Sequence, residues 1–199
     1  MKKIVILSAL CLLGACATLK TSSEFIARGN GYLTDGNPAE AIKNFNKAIA
    51  INPQNMEAYE ARGTAYFVNG NYQEATQDFA AAINNNPNNS SLYTAYAAAA
   101  ASMQDYDNAL KALELAEQIN AGKPEIYFSR GNIYFLLGKY DLALQNFNAL
   151  LNAYPAAEVF NARAAVLTKQ GKLDLANKDL EAARSGNFPD TLADYARAK

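Results

Sequence analysis

The chain has 199 residues, half of them apolar and 19% charged, with a formal net charge of -1 and no histidine. Its two cysteines, Cys11 and Cys16, both lie near the N-terminus. The composition supports a packed core, but it excludes a histidine-dependent triad, a His- or Cys-ligated zinc site and a disulfide framework in the body. The near-neutral charge argues against a nucleic-acid partner, which needs a basic surface to neutralise phosphates.

Met1-Lys2-Lys3 is a short basic start, and Ile4 to Leu13 is apolar but for Ser8. That run is too short to span about 30 Å of hydrocarbon as a helix, so it reads as the apolar core of a signal peptide. Leu13-Gly14-Ala15-Cys16 follows. A leucine, two small residues and a cysteine resemble the lipobox of bacterial lipoproteins. The resemblance implies cleavage of residues 1–15, with diacylglycerol and an acyl chain on Cys16. No dissociable cofactor is expected. Several acyl chains hold a membrane stably where one holds it marginally. Ala17, rather than an aspartate, follows the cysteine. By resemblance to enterobacterial sorting, this favours the periplasmic side of the outer membrane, with the cell surface as the alternative. Residues 16–21 read as a lipidated tether.

Beyond the tether the chain repeats. Pro53 and Pro87 lie 34 residues apart and Pro155 lies 68 further on. Phe25, Tyr59, Tyr93 and Tyr127 keep the same period, and Phe160 comes one residue early. Gly29, Gly63 and Gly131 each follow four residues after such an aromatic, and Tyr32, Tyr66 and Tyr134 seven after it. A second set recurs later in each unit. Ala41, Ala75, Ala109, Ala143 and Ala176 are followed four residues on by Phe45, Phe79, Leu113, Phe147 and Leu180. These spacings are helical. Each unit therefore holds two helices, broken at turns such as Gly36-Asn37-Pro38 and Gly70-Asn71-Tyr72, where glycine can cap the first helix. Proline ends the second.

The pattern aromatic-x3-Gly-x2-Tyr, then Ala-x3-Phe-x2-Ala, then Pro resembles the tetratricopeptide repeat. The resemblance implies an all-α fold, a right-handed α-solenoid of five helix pairs over 22–55, 56–89, 90–123, 124–156 and 157–188. The tail opens with Pro189-Asp190-Thr191-Leu192, as unit four opens with Pro124-Glu125-Ile126-Tyr127. Residues 189–199 therefore read as a capping helix over the last apolar face, which solenoids need for solubility.

Arg28, Arg62, Arg130 and Arg163 share one repeat position, and sixteen residues on stand Asn44, Asp78, Asn146 and Asp179. In unit three both members change, to Tyr96 and Ala112. We expect an arginine contact to Asp or Asn joining the two helices of a unit, with Tyr96 packed on Ala112 in unit three.

In this family the first helices line the inner surface, through repeat positions 2, 5, 9, 12 and 13. Positions 5, 9 and 12 hold Ile26, Asn30 and Leu33, then Glu60, Thr64 and Phe67, then Thr94, Ala98 and Ala101, then Phe128, Asn132 and Phe135. This wall is apolar and amide-bearing. The alanines of unit three, between Phe67 and the pair Phe128 and Phe135, suggest a hollow suited to an apolar or helical peptide. Of the tail-carboxylate clamp of one branch of the family only the asparagine is matched, since its positions hold Ile26, Asn30, Thr64, Ser91 and Ala95, so binding of that type is not expected. Asp105-Tyr106-Asp107 reads as a helix-capping turn. Paired catalytic carboxylates are not expected, because Glu60 is the only acid among the wall positions above and Glu57, Glu125 and Glu158 stand at position 2. The resulting expectation is no enzyme but a lipid-anchored envelope scaffold. It would bind a protein or peptide in its groove as an adaptor or assembly factor for an outer-membrane, pilus or cell-wall complex. The alternative is a structural lipoprotein that self-associates as a homo-oligomer.

Overall fold

A computed structural model describes residues 20–186. The signal peptide, Cys16 and the capping segment 189–199 lie outside them. Five helix pairs follow one another: α1 (Ser22–Thr34) and α2 (Pro38–Ile51), α3 (Met56–Val68) and α4 (Tyr72–Asn85), α5 (Ser90–Ser102) and α6 (Tyr106–Ile119), α7 (Pro124–Leu136) and α8 (Tyr140–Ala153), α9 (Ala157–Lys169) and α10 (Leu173–Ser185). Among the described residues there is no strand, and no helix is long and apolar enough to cross a membrane.

Each pair turns through the same hydrogen-bonded cap. In unit one Gly36 N–H donates to Leu33 O at 3.0 Å and Asn37 N–H to Tyr32 O at 2.8 Å. This is the Schellman arrangement, which needs a left-handed residue between the helices. Gly36 supplies it at φ 72°. Gly70, Gly138 and Gly171 do the same, whereas in unit three Gln104 takes φ 64°. Helix starts are sealed individually. Thr21 and Glu24 form a reciprocal capping box on α1, and Asp105 accepts from Asn108 N–H to cap α6.

Inside a pair, small and large residues interlock. A Cβ placed on Gly131 would stand 2.6 Å from Phe147 Cε1, and one on Gly63 would stand 2.9 Å from Phe79 Cε1. Where the second helix carries leucine, Leu113 or Leu180, the first helix carries alanine instead, Ala97 or Ala164. Between pairs, two positions of each first helix sink into the core shared with the preceding unit. They are Ala58 and Ala65, Leu92 and Ala99, Ile126 and Ile133, and Val159 and Val166, all buried. In unit one these positions hold Glu24 and Gly31, both exposed, so the first described unit lacks the apolar pair of the later ones. Successive first helices touch one another from α1 through α9, while the second helices have no comparable contact with each other. The first helices therefore lie on the inside of the curve and the second on the outside.

Candidate functional site

The inner surface follows from that placement. Asn30, Glu60 and Thr64 are exposed, while Leu33, Phe67, Thr94, Ala98, Ala101, Phe128, Asn132 and Phe135 are half-buried. Ile26 corrects the expectation. At 3% exposure it belongs to the first core cluster, because Ala58 and Ala65 of α3 are small enough to let it sink between the units. The three phenylalanines are held from behind by second-helix aromatics. Phe67 lies 5.6 Å from the Tyr72 ring, Phe135 6.0 Å from Tyr140 and Phe128 6.0 Å from Phe147. Thr64 and Thr94 turn their hydroxyls onto their own helix, donating to Glu60 O at 3.0 Å and Ser91 O at 2.8 Å. The wall is thus more apolar than its composition suggests.

The two ends of the inner helices differ. At the C-terminal ends Val68 is 59% exposed and Leu136 61%, the second beside Phe135 and the first beside Phe67. Sequence reasoning passed over both. The signal was present, since they occupy position 13 of the inner set. At the N-terminal ends Glu57, Glu60, Glu125 and Glu158 are exposed, and none of them forms an ion pair among the described residues.

The arginine position is a tie between helices in two units. Arg62 grips Asp78 through Nε and Nη2, both at 2.7 Å, and donates from Nη1 to Asn46 at 2.7 Å. Arg163 repeats this with Asp179 at 2.9 and 2.7 Å and with Asn148 at 2.7 Å. Asn46 and Asn148 come from the preceding unit, so each arginine joins three helices. The aromatic that opens each first helix flanks the guanidinium, at 5.3 Å for Tyr59 and 5.5 Å for Phe160. Bonding to Asp78 holds the Arg62 guanidinium above its ordinary value.

The asparagine partners expected for Arg28 and Arg130 are not used. Asn44 and Asn146 each donate their amide to a carbonyl of their own helix, Glu40 O and Leu142 O, both at 2.8 Å. A side-chain amide can satisfy itself locally in this way, whereas a carboxylate needs an outside donor. Arg28 is left exposed. Arg130 pairs instead with Glu117 of the preceding unit, which also accepts from the Tyr127 hydroxyl at 3.0 Å. Arg130 and that hydroxyl hold the Glu117 carboxyl below its usual range, and Glu117 holds the Tyr127 phenol above its own. Two cavities flank Arg130 and Tyr134 of α7, one of about 210 Å³ against α8 and one of about 380 Å³ against α6. In unit three Tyr96 packs against the core cluster that contains Ala112 and against the one formed by Ala75, Phe79 and Ala99.

Family models of the tetratricopeptide repeat match residues 26–90, 70–124 and 124–156. No curated protein is significantly similar to the chain in sequence. Solved structures are similar in fold. A thermophilic TPR protein of Thermus thermophilus superposes with a TM-score of 0.70 at 22% identity, over 89% of this chain and 98% of that one. MamA superposes with 0.69 at 20% identity, over 79% and 92%. PilF of Pseudomonas aeruginosa superposes with 0.72 at 20% identity, over 83% and 76%. At these identities the likeness carries the fold. With the family matched over most of the chain and five helix pairs in place, the chain belongs to the tetratricopeptide repeat family.

Proposed function

We propose that this chain is a lipid-anchored scaffold of the bacterial envelope. It holds a protein or peptide segment on its inner face as an adaptor or assembly factor for an outer-membrane, pilus or cell-wall complex. One observation carries the binding half: apolar side chains stand in water along the inside of the curve. Val68 and Leu136 are more than half exposed, next to Phe67 and Phe135 and on either side of the methyl floor of Ala98 and Ala101. A folded chain gains by covering such surface, and exposed apolar patches mark interaction sites. Leu13-Gly14-Ala15-Cys16 supports the anchored half by its resemblance to a lipobox.

Site-specific photo-crosslinking in the parent cells tests the reading. A photo-reactive residue replaces Ala98, and a control replaces the exposed Gln77 on α4. We expect one envelope protein captured from Ala98 in the membrane fraction, and loss of that product from the membrane fraction in a Cys16→Ser background. Equal capture from Gln77, or none from Ala98, would overturn groove binding. Capture of the same chain alone would favour the self-associating lipoprotein.

A further inference from the structure

Across the groove, from one end of the first helices to the other, the surface changes character. Glu57, Glu60, Glu125 and Glu158 occupy the N-terminal side, at repeat positions 2 and 5. Phe67, Val68, Phe135 and Leu136 occupy the C-terminal side, at positions 12 and 13. Roughly nine residues of helix separate the two rows, which at about 1.5 Å per residue is about 13 Å. An α-helix with its side chains is about 10–12 Å across. One helix laid along the groove would therefore meet both rows at once, apolar on one flank and acidic on the other.

Charge supports one class of occupant. Each of the four carboxylates lacks a cation among the described residues. Among the described residues, inner positions 2, 5, 9, 12 and 13 hold one cation, Lys169, and Lys123 adjoins them as the residue before α7. Lys123 stands at unit three, where the acidic row is interrupted by Ser91 and Thr94, and it donates to Ser91 Oγ at 3.3 Å. The apolar row runs from Phe67 and Val68 in unit two to Phe135 and Leu136 in unit four, with the small Ala101 and Ser102 between them in unit three. With neighbouring first helices about 10 Å apart, that is about 20 Å, or about 13 residues of helix.

We infer that the groove's occupant is a cationic amphipathic helix of about four turns, whose apolar stripe covers Phe67, Val68, Phe135 and Leu136 while its lysines or arginines face Glu57, Glu60 and Glu125. This inference rests on the inner face being the binding surface, and it adds the partner's chemistry.

The probe is a fluorescein-labelled sixteen-residue peptide of leucine and lysine with an amphipathic helical pattern. It is compared with a scrambled isomer of the same composition and with a version carrying glutamate for lysine. Fluorescence anisotropy with the full chain reads binding. We expect the amphipathic cationic peptide to bind about tenfold or more tighter than either control. Glu57→Gln, Glu60→Gln and Glu125→Gln together should weaken it about tenfold and flatten its salt dependence, since exposed pairs contribute modestly one by one and are screened by salt. Leu136→Asp should weaken it by a similar factor. Unchanged melting temperatures would show that the variants remain folded. Equal binding of the scrambled isomer overturns the amphipathic fit. Equal binding of the glutamate peptide, or no loss in the triple variant, overturns the charge assignment. If no peptide binds while Ala98 still captures a partner in cells, the partner chemistry falls and the groove stands. If Ala98 is silent as well, both fall.

Discussion

Arg163 and Asp179 are both fully buried, so removing either takes the charged partner from a group that water does not reach. Breaking such a pair costs about 3–5 kcal/mol. We therefore expect Arg163→Met or Asp179→Asn to lower the unfolding free energy by about that much, and the double variant by clearly less than the sum. Arg130→Met should cost less than about 1 kcal/mol, because its partner Glu117 is 31% exposed and water can replace the guanidinium. Denaturant titration of the four variants checks this. Additive losses, or equal costs at Arg163 and Arg130, would sink the account. The ties at Arg62 and Arg163 were legible from a spacing of sixteen residues because arginine and aspartate have one obvious use for each other. Asn44 and Asn146 misled, since an amide finds a carbonyl within its own helix. The third members, Asn46 and Asn148, were not legible. They share a repeat position, but Ala80 and Glu114 stand there in units two and three, and a recurrence in two units is too sparse to read.

Two glycines of α1 lie two residues apart and face opposite fates. A Cβ on Gly29 would run into the Phe45 ring, while one on Gly31 would meet nothing within 4 Å among the described residues. The difference is one of helix face: Gly29 looks toward α2, and Gly31 looks toward the face that later first helices turn to the unit before them. Gly29→Ala should destabilise the chain by about 1–3 kcal/mol through overpacking. Gly31→Ala should stabilise it by about 0.5–1 kcal/mol by restricting the unfolded backbone. Adding Phe45→Leu to Gly29→Ala should recover much of the loss, because Ala97 with Leu113 is this same combination. Thermal melts decide it, and shifts of the same sign for the two alanine variants would refute the face assignment. Helices were the most legible level here, since the 34-residue period repeats both sets of apolar spacings. What the period hides is that one repeat position can have two environments. Position 5 holds buried Ile26 in unit one and exposed Glu60 in unit two: the apolar chain sinks against Ala58 and Ala65, whereas a carboxylate stays in water.

A solenoid holds together through its nearest neighbours, so it opens first at its lightest junction. That junction lies between α6 and α7, which touch over the shortest stretch of the four second-to-first helix contacts. Its linker departs from the rest as well. Ala121 stands where Pro53, Pro87 and Pro155 stand in their units, and Gly122 follows at φ 82°. Asn120 is extended, at φ -147° and ψ 87°, a conformation that accepts a following proline. Among the described residues the Ala121 N–H makes no backbone hydrogen bond for a proline ring to break. A turn with glycine third suits proline second. Ala121→Pro should therefore stabilise the chain by about 0.4–1 kcal/mol, by removing freedom from the unfolded state. Native-state hydrogen exchange gives the sharper reading. In the parent chain the end of α6 and the start of α7 should open at lower free energy than the equivalent segments at α2–α3 or α4–α5. The proline variant should slow exchange there more than at those two junctions. Equal protection at all junctions, or slowing spread evenly along the stack, would mean that the core residues Ile126 and Ile133 already hold this junction as firmly as the others, and that the missing proline costs the solenoid nothing locally.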